Sequence, residues 1–410
     1  MSRSARLTIL LLFAAWAVDF VDRLVVNFAL TPIGDTFRLD HAERGLVVSV
    51  FFVAYAAMQI PGGLLADRFG AFRMCVIGMV AWSVCTGFTA AAWSFAVLLV
   101  ARGLFGVTQG VFPAAAVKAL AERVEPAWRN TANGWVNTAN ACGVTLAAVL
   151  AGLLLPLMGW RGMFVAVSGL GVLVVLAWLR WLPRPLSGAA ASPVRPSAWR
   201  LLASPAIICC AAISFGYGGL TWGLTTWVPT FLQERHGVAG GAAAALSTAP
   251  ILAAAITTVV GGWLSDRLRG RPRLIVVPTM AVSGILVVLL PYTHSVALFT
   301  VVLTVLSGTA ALSAMAALSV PLHALGAGEL GAVAGLTMFG AQLAGIAFPL
   351  EFGVVVDDMS YTVAFASLAL GPVVGIVAAS LIPQTVETFR DAVKSRLDRS
   401  SAIATPSASL

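Results

Sequence analysis

Pro61-Gly62-Gly63-Leu64-Leu65-Ala66-Asp67-Arg68-Phe69-Gly70 closes one apolar stretch of the chain, and Gly261-Gly262-Trp263-Leu264-Ser265-Asp266-Arg267-Leu268-Arg269-Gly270 closes another. Both carry the pattern G-x-L-x-D-R. Each follows a run too apolar to face water, and the two stand at corresponding places in the two halves of the chain. Counting apolar runs outward, the first ends the second run and the second ends the eighth. A motif that returns after six helices predicts two six-helix halves related as parallel repeats.

Composition supports that reading. Of 410 residues, 59% are hydrophobic and 10% charged, against about 25% charged in a soluble globular chain. Apolar runs recur at 7–29, 45–66, 73–92, 94–118, 131–157, 162–182, 205–232, 242–264, 274–291, 296–320, 331–352 and 361–382. Each is near the roughly 20 residues that cross a bilayer as helix. A signal peptide would supply only one run of about 7–15 residues. Strands are excluded because lipid admits only helices or closed barrels, and barrel strands alternate over about ten residues. The expected fold is an all-α membrane protein: twelve transmembrane helices in two six-helix pseudo-symmetric bundles.

The net charge of +8 reads as topology, with no nucleic-acid partner expected. Basic residues collect in alternate loops: Arg3 and Arg6; Arg68 and Arg73; Lys118, Arg123 and Arg129; Arg180, Arg184, Arg195 and Arg200; Arg267, Arg269, Arg271 and Arg273; and Arg390, Lys394, Arg396 and Arg399. The opposite side holds Arg38, Arg44, Arg161 and Arg235. The positive-inside bias therefore predicts both termini in the cytoplasm. The expected domains are 1–182, an N-terminal bundle; 183–204, a Pro/Ser/Ala-rich cytoplasmic linker; 205–383, a C-terminal bundle; and 384–410, a cytoplasmic tail ending in low complexity. Cys75, Cys85, Cys142, Cys209 and Cys210 fall in apolar runs without metal-ligand spacing and read as packing residues. His41, His236, His294 and His323 lie in or near loops and receive no coupling role.

Ionisable residues at membrane depth cost about 2.5–3.5 kcal/mol each and are functional by default. Span one carries Asp19, Asp22 and Arg23, and span four carries Arg102. The internal repeat sets Gly218, Thr221, Trp222 and Val301 opposite them, so the scaffold repeats without the charges. A purely structural pair of Asp22 with Arg102 is the competing reading. Asp19 and Asp22, three apart, share a helix face. Two carboxylates that repel beside an attracting arginine can load and release a proton; Asp22 is the first candidate for that role and Asp19 the second. Arg102 and Gln109 lie two turns apart on one face, about 10.5 Å of rise, with Gly106 between them leaving room. A guanidinium binds a carboxylate bidentately, which argues for an organic-anion substrate.

Asn133, Asn137 and Asn140 share a face of span five, as a polar cavity wall or as helix–helix hydrogen bonds. Gln342 interrupts an apolar run and reads as cavity-lining. Tyr217 and Trp222 are candidates to close the site, while Trp227 reads as an interfacial-belt residue. Pro61, Pro113, Pro229, Pro250 and Pro349 can kink helices. The motif aspartates Asp67 and Asp266 suit bonds from a neighbouring helix N-terminus. Arg68 and Arg267 suit pairing with carboxylates or carbonyls, or simple membrane anchoring.

The duplicated motif resembles that of the major facilitator superfamily. The chain further resembles its anion:cation symporter branch, which moves sugar acids and other organic anions. That likeness is carried by Asp-Phe-Val-Asp-Arg (19–23), Tyr55 to Gly63, Arg102 to Pro113, Gly159 to Phe164 and Trp227 to Leu232. The resemblance implies the major facilitator fold and a cytoplasmic gating role for Asp67, Arg68, Asp266 and Arg267. It implies proton coupling and anion binding at Asp22 and Arg23, and substrate contacts at Arg102, Tyr55 and Asn140. Many members have a glutamate seven residues after the fourth-helix arginine; here Gln109 stands there, and an amide does not titrate. Either Asp22, with Asp19, then carries coupling alone, or coupling is weak and transport is closer to facilitated diffusion or exchange.

The expected function is proton-coupled symport of a small organic anion, a carboxylate, by alternating access. Its expected partners are that anion, protons and the lipid bilayer, with no cofactor, no metal and a monomeric state. Arginine over lysine and abundant Ala and Gly point to a bacterial cytoplasmic membrane. The alternatives are a proton-antiport exporter, which Arg23 and Arg102 disfavour, and a transporter-like ligand sensor. Enzyme motifs such as a P-loop, H-E-x-x-H or G-x-S-x-G with triad partners are absent from the sequence.

Overall fold

A computed structural model of the chain describes residues 3–125, 128–182, 204–268, 271–324 and 327–393, apart from some side chains within these ranges, those of Asn137, Asp266 and His323 among them. Residues 183–203 of the expected linker and 394–410 of the tail lie outside the described residues. The described residues are helical almost throughout: α1 (Arg3–Phe37), α2 (His41–Phe69), α3 (Ala71–Ala90), α4 (Phe95–Gly110), α5 (Phe112–Arg123), α6 (Arg129–Trp181), α7 (Pro205–His236), α8 (Gly240–Leu246), α9 (Thr248–Arg267), α10 (Arg273–Leu289), α11 (Val296–Leu312), α12 (Ala316–Ala324), α13 (Ala327–Asp358), α14 (Tyr361–Ser367), α15 (Leu370–Leu381) and α16 (386–393).

Nine helical stretches among the described residues are long and apolar enough to cross a membrane. One of them contains two crossings. The 53 residues of α6 break at Gly159, whose φ of 65° and ψ of −178° are not helical. Only glycine takes that conformation at little cost, so Gly159 ends one passage and begins the next. Charged α1 and the shorter α11 with α12 complete twelve passages. Several are jointed: Pro113 follows a break at Val111 between α4 and α5, and Ser247 separates α8 from α9. Pro61, Pro229 and Pro349 lie inside α2, α7 and α13.

The described parts of Met1–Ser192, Thr225–Ile251 and Pro349–Asp358 form one compact unit, and those of Pro193–Leu224, Leu252–Phe348 and Met359–Leu410 form the other. Helices α7, α9 and α13 thus each serve both units. In the first unit, α2 and α4 approach so closely that a Cβ on Gly106 would sit 2.5 Å from the Phe51 carbonyl oxygen, and one on Gly62 would sit 2.7 Å from Val111 Cα. The room that Gly106 leaves is therefore taken by the α2 backbone. Gly261, at the repeat position of Gly62, meets Leu312 of α11 at equally close range in the second unit.

Two arginines from the sparsely charged side are engaged by the first unit. Arg161 Nη2 donates to the Ala92 carbonyl at 3.0 Å beyond α3, and its guanidinium lies 4.3 Å from the Trp160 ring. Trp160 Nε1 donates to Thr36 Oγ1 at 3.0 Å near the end of α1. Arg44 is buried and pairs with Glu234.

Candidate functional site

The buried charges of the first unit converge from α1, α2, α3 and α4. On α1, Asp19 and Arg23 stand one turn apart, and Arg23 Nη2 donates to Asp19 Oδ2 at 2.9 Å. Arg23 Nε donates to Gln109 Oε1 at 3.2 Å, and Gln109 Nε2 donates onward to the Asp19 backbone carbonyl at 2.9 Å. One amide thus accepts from Arg23 and donates to α1 together, which an ionised carboxylate cannot do. Gln109, standing where the resemblance sets a proton-carrying glutamate, is a bridge that orients Arg23.

Aromatic rings enclose the same guanidinium. The ring centres of Tyr55, Phe20 and Phe51 lie 4.5, 4.7 and 5.5 Å from Arg23 Cζ. Such cation–π contacts strengthen where water is excluded. Tyr55 is buried and stacked on Phe51, so its ring is spent on Arg23 and Phe51.

Asp22 faces α3 instead. Thr86 Oγ1 donates to its Oδ1 at 2.8 Å, while Oδ2 is buried with no hydrogen-bond partner among the described residues. The Trp82 indole lies beside this carboxylate, and its Nε1 is likewise unpartnered. Asp19 and Asp22 therefore do not act on one partner, contrary to the shared-face expectation. Three residues of helix leave about 60° between side chains, enough here to send one to α4 and the other to α3.

Arg102 on α4 is 1% exposed. Its Nε and Nη2 are buried without a hydrogen-bond partner among the described residues. Its guanidinium lies 4.7 Å from the Phe105 ring and 5.3 Å from the Phe51 ring, within electrostatic reach of Asp22 and Arg23. No ion pair joins Asp22 to Arg102 among the described residues; the close pair is Asp19–Arg23. A buried guanidinium with idle donors costs several kcal/mol unless something fills them. The site thus holds one ion pair, Asp19–Arg23, whose Asp19 Oδ1 is unpartnered among the described residues, and two incompletely partnered charges of opposite sign, Asp22 and Arg102.

The sequence passed over Asn27, one turn beyond Arg23 on α1. It is 2% exposed and its Oδ1 is unpartnered among the described residues. The i, i+4, i+8 series Asp19–Arg23–Asn27 was the available signal. On α6, Asn140 is half-buried with a bare Oδ1 and Asn133 is exposed. In the second unit, Tyr217 is half-buried, and Trp222 Nε1 donates to the Ala341 carbonyl at 3.1 Å. Gln342, the next residue, has a buried Oε1 without a partner among the described residues. Trp227 is no belt residue: it is fully buried, donates to the Pro349 carbonyl at 2.9 Å and stacks on Phe352 at 5.2 Å.

At the motif, Asp67 pairs with Lys118 of α5 at 2.7 Å, and Lys118 also donates to the Ala66 carbonyl at 3.1 Å. The partner is a side chain, not the helix N-terminus expected. Arg68 and Arg267 are exposed and lie over aromatic rings of their own helix ends, Phe69 and Trp263, both at 5.3 Å. The Asp266 side chain lies outside the described residues. Ala317 occupies the repeat position of Lys118. The five cysteines are free.

Residues 9–349 match the profile described as Major Facilitator Superfamily. The hexuronate transporter of Bacillus subtilis (strain 168) is 26% identical, with 85% of this chain and 87% of the relative aligned. A probable sulfoacetate transporter of Cupriavidus necator is 26% identical over 89% and 91%. The D-galactonate transporter of Escherichia coli O6:H1 is 26% identical over 65% of this chain and 68% of its own. Among solved structures, a bacterial homologue of the human lysosomal transporter Spinster, inward-facing and unoccupied, superposes with a TM-score of 0.75 at 21% identity. It covers 97% of this chain and 98% of its own.

Proposed function

Given that the chain belongs to the Major Facilitator Superfamily, and so is a multi-pass membrane transport protein and not an enzyme, we propose that it carries a small organic anion, a carboxylate, in symport with protons. The observation that carries this reading is the pair of half-used charges. Arg102 has donors to spare for a planar anion, and Asp22 has a bare oxygen to take a proton. Relatives named for hexuronate, sulfoacetate and galactonate support the anion.

Roles follow from the contacts. Arg102 receives the carboxylate. Arg23, fixed by Asp19 and Gln109 and faced by Tyr55, supplies positive field beside it. Asp22 carries the coupled proton, with Asp19 held back by its ion pair. Asn27 and Asn140 offer polar groups to substrate hydroxyls during alternating access. In the second unit, taken by itself, Gln342 and Tyr217 are the candidates with polar groups for substrate, and Trp222 is a candidate through its ring. Asp67 with Lys118, together with Arg68, Asp266 and Arg267, serves the cytoplasmic gate. The loop charges favour both termini in the cytoplasm, and the excess of arginine over lysine with abundant Ala and Gly favours a bacterial cytoplasmic membrane.

The test is a panel of radiolabelled sugar acids and simple carboxylates in proteoliposomes, with and without an imposed pH gradient. At least one should accumulate when the lumen is alkaline. Binding without flux across the whole panel would mark a sensor instead, and accumulation driven only by an acidic lumen would mark an exporter.

A further inference from the structure

Helix α2 opens with a capping box: Asp40 accepts from Glu43 N at 2.7 Å, and Glu43 Oε2 accepts from Asp40 N at 3.2 Å. The next residue, His41, reaches two other helices. Its Nδ1 lies 2.6 Å from Asp357 Oδ1 at the end of α13, and its Nε2 lies 2.8 Å from Glu234 Oε2 near the end of α7. Asp357 also accepts the backbone N–H groups of His41 and Ala42, at 3.2 and 2.7 Å, as suits a carboxylate at a helix N-terminus. Arg44, a turn below, bonds Glu234 and lies 4.0 Å from Asp35 of α1. Beneath these charges the backbones touch, the Gly45 Cα site against the Pro349 carbonyl and Gly353 against the His41 carbonyl.

The cluster lies wholly in the first unit, yet its two acidic helices do not. The chain passes from one unit to the other between Leu224 and Thr225 in α7, and between Phe348 and Pro349 in α13. Pro229 and Pro349 stand near those two crossings. A proline removes a helical hydrogen bond and makes a natural hinge. The ends of α7 and α13 are therefore held to α2 by polar contacts, while the rest of each helix belongs elsewhere. By the positive-inside reading this is the outer end of the bundle.

We propose that His41, bridging Glu234 and Asp357, is a proton-sensitive latch that keeps the outer ends of α7 and α13 docked on α2. The proposal rests on the alternating-access reading above. The groups facing the ring are Glu234 from α7, Asp357 from α13 and Arg44 from its own helix, with Asp35, Asp40 and Glu43 around them. Of these, only histidine changes charge between about pH 5 and 8. A protonated ring donates to both carboxylates; a neutral ring has one N–H and turns a lone pair toward the other. Two adjacent carboxylates favour the charged ring. Burial alone would lower the ring's pKa, but Glu234 and Asp357 hold it above the ordinary histidine value, so the latch is held while His41 is protonated and loosens only as external pH rises above that value.

Ser49, 2% exposed and two turns below His41 on α2, reports the opening. Ser49→Cys is labelled from outside by a membrane-impermeant maleimide in sealed vesicles, with the Ser49 parent correcting for the native thiols. Each variant is compared with its parent at one pH, so thiol ionisation cancels. His41→Gln should speed labelling by about fivefold near pH 6 and hardly at all near pH 9. His41→Arg, permanently charged, should label slowly at both. Asp357→Asn should resemble His41→Gln. An acceleration by His41→Gln that is the same at both pH values, or His41→Arg behaving as His41→Gln, overturns the proposal. Flux of the carboxylate panel in the same vesicles is scored separately. Labelling that responds without flux upholds the latch and defeats the transport reading; flux with labelling indifferent to His41 does the reverse.

Discussion

At the scale of single residues, the site turns on which charges are spent. Arg23 is committed to Asp19, Gln109 and three aromatic rings, whereas Arg102 has two idle donors. Arg102→Ala should therefore abolish flux. Arg102→Lys should restore little, because an ammonium lacks the planar fork that grips a carboxylate. Asp22→Asn should keep counterflow exchange but lose accumulation driven by a pH gradient, since an amide cannot carry the proton; continued accumulation in that variant would refute the coupling role. Gln109→Glu puts an acceptor where a donor to the Asp19 carbonyl is needed. It should destabilise the protein by about 1–3 kcal/mol, seen as a lowered midpoint in detergent thermal unfolding. The four charged residues themselves were legible in the sequence, because ionisable groups stand out in apolar runs. Their partners were not: Thr86, Tyr55 and Gln109 come from three other helices. Asn27 was passed over although its place one turn beyond Arg23 on the same face was there to read.

At the scale of elements, close helix approach and one glycine hinge set the geometry. Gly159 occupies a φ of 65° with a ψ of −178°, a region essentially reserved for glycine, and Gly159→Ala should cost about 1–3 kcal/mol. Gly106→Leu should be worse, since even a Cβ there meets the Phe51 carbonyl oxygen at 2.5 Å, and overpacking adds about 1–3 kcal/mol. Gly169 in α6 has an open surround, so Gly169→Ala should leave the unfolding midpoint unchanged or raised. Apolar length announced the passages, but not that α4 and α5, α8 and α9, and α14 and α15 are jointed. Joints depend on local backbone bonds that hydropathy does not report. The outer arginines show the same limit. Arg44 and Arg161 looked like exceptions to a charge rule and are instead structural ties to Glu234 and to the Ala92 carbonyl.

At the scale of the whole molecule, the two halves repeat a scaffold and divide the labour. Gly62 and Gly261 make equivalent close contacts, yet Lys118, which closes on Asp67, has only Ala317 as its counterpart. A lysine partner for the motif aspartate at that repeat position therefore belongs to one half. Asp67→Asn and Lys118→Ala should each slow initial uptake several-fold, and the double variant should be no slower than either single, the signature of a coupled pair. Additive losses would separate the two residues. The amino-acid order alone settled that this chain lives in a bilayer, crosses it as helices and is built by duplication. Lipid leaves a backbone no other way to satisfy its polar groups, so length and polarity suffice. Which carboxylate holds Arg23, which arginine is left with idle donors, and that the histidine at the start of α2 clasps two distant acids were decided by tertiary packing. Those outcomes depend on the rotation and depth of helices far apart in the chain, and a turn of about 60° redirects a side chain to a different neighbour.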